Sequence, residues 1–156
     1  MISLEKTLVL GIGNSLFKDE GIGVHIVKEL AAEYTLENVE FIDGGTASLD
    51  LLDFIEGKDK VIIVDAVQGG GVPGTVYRFK PTDIEINFPL SLSLHQVGLM
   101  EVLGMLKFLD PSSLYKIIIY GVEPKELGWG LDLSPELEAV KEKVKKEIVK
   151  ELSSGY

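Results

Sequence analysis

The sequence predicts a single α/β domain over residues 1–156, a three-layer α/β/α sandwich around a mostly parallel sheet with one antiparallel edge strand. Three observations predict it. Four short runs are apolar throughout rather than at alternate positions, the pattern of strands covered on both faces. Segments of helical period lie between them, the order expected of a parallel sheet whose crossovers are helices. One further run, TVYRFK (75–80), alternates and keeps its charges on one side, as a strand at a sheet margin does.

The first buried strand is TLVLGI (7–12), followed by a helix over about 20–34. Gly23, Ile26, Val27, Leu30, Ala31 and Tyr34 form one stripe of that helix, and His25, Lys28, Glu29, Ala32 and Glu33 face away, so His25 reads as a surface residue. VEFID (39–43), KVIIVDA (60–66) and YKIIIYGV (115–122) are the other buried strands. Helices are expected over 48–55 and 95–109, the second apolar nearly all round and therefore buried. The last helix opens at Ser134-Pro135-Glu136, an N-cap, an N1 proline and a first-turn acid, and carries Leu137, Val140, Val144, Ile148 and Leu152 at helical spacing. QGGGVPG (68–74) reads as a loop free to move, and there are no repeats or linkers.

Composition narrows the function classes. Acids outnumber Lys and Arg 25 to 15, for a formal charge of -10, which argues against a nucleic-acid partner or an anionic membrane surface. No run approaches the roughly 18 apolar residues of a membrane span. MISLEKTLVLGIGN has neither a basic leader nor a small-residue cleavage site, so a cytoplasmic protein is expected. With no cysteine, disulfides and thiolate metal sites are excluded.

The stretch LVLGIGNSLFKDEGIGVHIV (8–27) resembles a dinucleotide loop and then departs from it. Gly11 and Gly13 fit a G-x-G-x-x-G pattern, but Leu16 takes the third position, and Asp19 and Glu20 would repel a phosphate at the helix entrance. Those two acids either cap the helix or belong to a site. The inferred topology favours a site, because ligands of open parallel sheets gather beyond the carboxyl ends of strands. Strand one leads to Asp19 and Glu20, strand two ends at Asp43, strand three ends at Asp65, and the loop beyond leads to His95. Asp65 follows four apolar residues in the expected central strand, where a carboxylate needs loop amides or a metal to satisfy it. Two carboxylates and an imidazole suit a divalent ion such as zinc or nickel.

GIGNSLFKDEGIG (11–23), DGGTA (43–47), IIVDAV (62–67), HQVGL (95–99), YGVEP (120–124) and GLDLSPEL (130–137), in this order, resemble the nickel-dependent hydrogenase maturation endopeptidases. These trim the C-terminal extension from the large subunit of nickel-iron hydrogenases. Helical phase does not choose between Asp19 and Glu20; the resemblance chooses Glu20. It implies that Glu20, Asp65 and His95 bind the metal, and that Asp43, with Gly44, Gly45 and Thr46, serves substrate binding. It also implies that nickel is carried in by the precursor and licenses cleavage, with zinc or another divalent ion able to fill the site in isolation. Either the metal polarises the carbonyl and water, or Asp43 or Asp65 is the catalytic general base. The expected partner is the large-subunit precursor and the expected state a monomer. The competing expectation is a non-enzymatic nickel-binding or metal-delivery protein using the same ligands.

Overall fold

The computed structural model describes residues 5–45, 50–86 and 98–153. Strand β1 (Thr7–Ile12) leads through a 3-10 turn (Lys18–Gly21) into α1 (Ile22–Glu33). There follow β2 (Val39–Gly45), α2 (Asp50–Ile55), β3 (Lys60–Ala66), β4 (Val76–Phe79), α3 (Leu99–Leu109), β5 (Ile117–Val122) and α4 (Pro135–Ser153). The sheet order is β2-β1-β3-β5-β4, parallel except for β4, which runs antiparallel to β5 at the margin.

Alternate residues of the central strands feed two cores, as the two-residue period of a strand requires. Val9, Ile62, Val64 and Ile118 pack under α1 and α4, while Leu8, Leu10, Ile63 and Ile119 pack under α2 and α3. Burying both faces of β1, β3 and β5 is why these runs are apolar throughout. β2 departs from that expectation. It is the other edge strand, so Glu40 and Asp43 are exposed and Phe41 and Ile42 only partly covered.

The first helix starts two residues later than its periodicity suggests, because Lys18–Gly21 forms a tighter turn. Ala31 and Tyr34 are exposed rather than part of the buried stripe. For Tyr34 the reason is that the chain has already left the helix, with φ -127 and ψ 136. Gly23 allows the close approach of α1 to the sheet: a Cβ there would strike the carbonyls of Val64 and Ile12. α1 therefore begins against the carboxyl ends of β1 and β3, where the site is built. The expected start of the second helix, at Ser48, and of the third, at His95, lie outside the described residues.

Candidate active site

The two acids at the entrance of α1 have separate fates. Asp19 is wholly buried; its Oδ1 accepts the Ser134 amide at 2.7 Å, and its Oδ2 accepts the Ser134 hydroxyl at 2.7 Å and the Lys125 and Glu126 amides at 2.8 Å each. Burial raises its pKa, and these bonds more than offset that, leaving it below the ordinary aspartate value. Asp19 does not cap α1, whose N-cap is Gly21. It fastens the loop ahead of α4, where the Ser134 carbonyl accepts the Leu137 and Glu138 amides of the first turn.

Glu20, unlike Asp19, faces a cavity. It is partly buried and lines a cavity of about 290 Å³ with Ala66, Gln68, Pro124 and Leu127. Burial pushes its pKa up. The turn that delivers it depends on Gly13, whose φ of +127 favours glycine and whose added Cβ would strike the Glu20 carbonyl and lie 3.4 Å from Asp65 Oδ1.

Asp65 closes β3, the central strand, on the face that α3 covers. Its Oδ1 accepts the Ala66 amide at 2.8 Å, and the Leu99 amide at the start of α3 also donates to it. Both amides favour the charged form. Burial outweighs them, and the charges of Glu20 and Glu101 act in the same direction, so Asp65 lies well above the ordinary aspartate range. Ala66, Gln68, Leu99 and Glu101 also line a neighbouring cavity of about 470 Å³. The charges of Glu20 and Glu101 thus reach Asp65, and burial pushes both Glu20 and Asp65 toward protonation, an environment that a cation would relieve.

The hydrogenase maturation protease model, HycI, matches residues 24–151 of the chain. The chain belongs to this family. It is 39% identical over 137 residues to the hydrogenase 2 maturation protease of Escherichia coli, a match covering 86% of this chain and 83% of that one. Against the hydrogenase expression/formation protein HupD of Rhodobacter capsulatus it is 38% identical over 136 residues, 84% of this chain but 63% of the longer relative. Among solved structures it resembles the hydrogenase maturating endopeptidase HybD from E. coli, with TM-score 0.77, 36% identity, and coverage of 94% of this chain and 91% of that one. The chain is therefore a peptidase rather than a non-enzymatic metal carrier.

In this maturation protease the remaining expected site residues are placed unequally. His95 and Thr46 lie outside the described residues. Asp43 is not brought to Asp65. It pairs in register with Gly11, as Val64 does, so it faces the α1 side of the sheet, and its Oδ2 lies 3.5 Å from Lys28 Nζ. Gly44 is buried beside it, and Gly45 has φ +52 and accepts the Gly13 amide at 2.9 Å. His25 is half-buried rather than a surface residue, and its Nε2 is enclosed without a hydrogen-bond partner among the described residues.

Two parts of the site escaped sequence reasoning. Glu101 lies in the first turn of α3; its signal was that it is the single acid in the apolar run 95–109. Glu123 sets the loop after β3. Its Oε1 accepts the Tyr77 hydroxyl at 2.7 Å and the Gly69 and Gly71 amides at 2.8 and 3.0 Å, pinning a segment expected to move freely and placing Gln68 beside both cavities. No local motif announces that contact, which spans 46 residues between Tyr77 and Glu123. Among the described residues, Glu29, Glu33 and Glu142 are the three acids whose oxygens come within 4.8 Å of one another. Lys145 Nζ already occupies that group, at 3.1, 2.6 and 3.0 Å, so it is a salt-bridge network. No helix among the described residues is long and apolar enough to cross a membrane.

Proposed function

We propose that this protease removes the C-terminal extension of a nickel-iron hydrogenase large-subunit precursor, and that it recognises nickel already bound to that precursor. The observation that carries this reading is the pairing of Glu20 and Asp65 at one rim, both held above their ordinary pKa values by burial, with Glu20 also raising Asp65. A divalent ion arriving with the substrate would relieve both groups. In this reading Glu20 and Asp65 supply oxygens to the cation and His95 supplies a nitrogen. Since Glu20 and Asp65 come from one chain, a monomer suffices.

Cleavage adds water across an amide. The water oxygen bonds to the scissile carbonyl carbon, the C–N bond breaks, and a proton passes to the departing amine. Asp65 is better placed than Asp43 to take the water's proton, because it lies with Glu20 at the carboxyl ends of the central strands whereas Asp43 faces the α1 side of the sheet. Asp43 lies on the opposite sheet face and is paired with Lys28, which fits it to bind the tail along β2 with Gly44, Gly45 and Thr46. Mass spectrometry of the large subunit after incubation with wild-type protease and with Glu20→Ala, Asp65→Ala and His95→Ala tests the assignment. Loss of trimming by all three, with unchanged circular dichroism, is expected; full trimming by any one would remove that residue from the metal-binding set.

A further inference from the structure

Beside the Glu20 cavity the chain exposes large apolar side chains on a scaffold that is tied down. Trp129 is 75% exposed, Leu131 66%, Leu16 50% and Leu127 40%. They lie on two segments, 14–18 and 124–134, joined like a short pair of strands. The Lys18 amide donates to the Gly130 carbonyl and the Gly130 amide to the Leu16 carbonyl, both at 2.8 Å, and the Asp19 amide donates to the Glu126 carbonyl at 2.9 Å. The Phe17 ring packs on Trp129 with centroids 4.3 Å apart. Behind them the buried Asp19 carboxylate holds Lys125, Glu126 and Ser134.

We propose that Leu16, Leu127, Trp129 and Leu131 form a preorganised docking rim for an apolar segment of the hydrogenase precursor adjoining the tail that is cleaved. This rests on the reading that the precursor is the substrate. Contiguous exposed apolar surface of this kind marks a contact site, and an aromatic anchor held in place spends little conformational entropy on binding. The rim is continuous with the site, because Leu127 lines the same cavity as Glu20. A polypeptide that enters the Glu20 cavity past Leu127 would lie over this surface. At its edge Lys18 and Glu126 are paired with each other at 3.5 Å, so these two charges are matched within the protein and the apolar side chains are what the rim chiefly offers a partner.

Trp129 is the only tryptophan of the chain, so it reports on this surface without interference. The protease labelled with 5-fluorotryptophan would be followed by fluorine NMR during addition of unlabelled, nickel-loaded precursor, and tail removal measured in parallel. The Trp129 resonance is expected to shift on binding. Trp129→Ser and Leu131→Ser are expected to raise KM about tenfold each, as loss of an interface anchor does. Leu36→Ser, at an exposed leucine between α1 and β2, should leave KM unchanged. Cleavage of precursor with an unmoved resonance would overturn the docking rim, as would a resonance that moves with protease concentration alone, the sign of a second copy on this face. A shifted resonance without any cleavage would instead overturn the substrate reading and leave the rim standing; neither signal would overturn both.

Discussion

Asp19 receives both the backbone amide and the side-chain hydroxyl of Ser134 at 2.7 Å, a contact between residues 115 positions apart. It joins the start of α1 to the start of α4, so the loop that carries Leu127 is fixed relative to Glu20. Asp19→Ala should cost about 3 kcal/mol of unfolding free energy, because it strands the buried amide and hydroxyl of Ser134 and removes the acceptor of the Lys125 and Glu126 amides. Urea unfolding checks the figure.

The same contact has a pH signature. The pKa of Asp19 is lower in the folded chain than the ordinary 3.8, so the native state binds fewer protons there than the unfolded state. The stabilisation is complete above about 3.8 and disappears as pH falls through the lower folded value. Stability curves of wild type and Asp19→Asn, measured from pH 7 to pH 2, should therefore be separated at neutral pH and converge in acid.

Asp65→Asn should abolish trimming and yet stabilise the metal-free protein. The amide oxygen can still accept the Ala66 and Leu99 amides, while the charge that burial disfavours is removed. A gain of roughly 0.5–2 kcal/mol, the scale on which single stabilising substitutions act, is expected, and a thermal melt without added metal would show it.

Gly13→Ala should disable the site from a distance. The backbone at φ +127 resists a side chain, and the new Cβ would displace the Glu20 carbonyl. Expected are a loss of stability above about 1 kcal/mol and a fall in kcat/KM at least tenfold. A Gly11 substitution tests packing of α1 instead, since a Cβ there meets the Gly23 carbonyl at 2.5 Å.

Lys145→Ala should convert the Glu29, Glu33 and Glu142 network into an uncompensated acidic group. Burial works against the Lys145 charge, but the hydrogen bonds that Lys145 donates to Glu33, Glu142 and Glu29 outweigh it and hold its pKa above the ordinary value. Removing it should lower stability by about 1–2 kcal/mol, and millimolar calcium should restore part of that in the variant but not in wild type, as differential scanning fluorimetry would show.

The strands were legible because burial on both faces writes continuous apolar runs, and TVYRFK alternates because β4 pairs only with β5. β2 misled, since VEFID is nearly as apolar as a central strand although it lies at an edge. Asp65 was legible as a carboxylate out of place in an apolar run. The division of labour between Asp19 and Glu20 was not, because it depends on Lys125, Glu126 and Ser134, which reach Asp19 only through the fold. For the same reason the strand face taken by Asp43, opposite to that of Asp65, is set by register with Gly11 and Val64 rather than by local sequence.

The central claim is that Glu20 and Asp65 together grip a cation that the substrate brings. Its most direct test is a comparison of nickel-loaded and nickel-free large-subunit precursor, each incubated with wild-type protease and resolved by intact mass. The account predicts that only the nickel-loaded form is shortened, and that Glu20→Gln shortens neither. Equal shortening of both forms by the wild-type protease would contradict it.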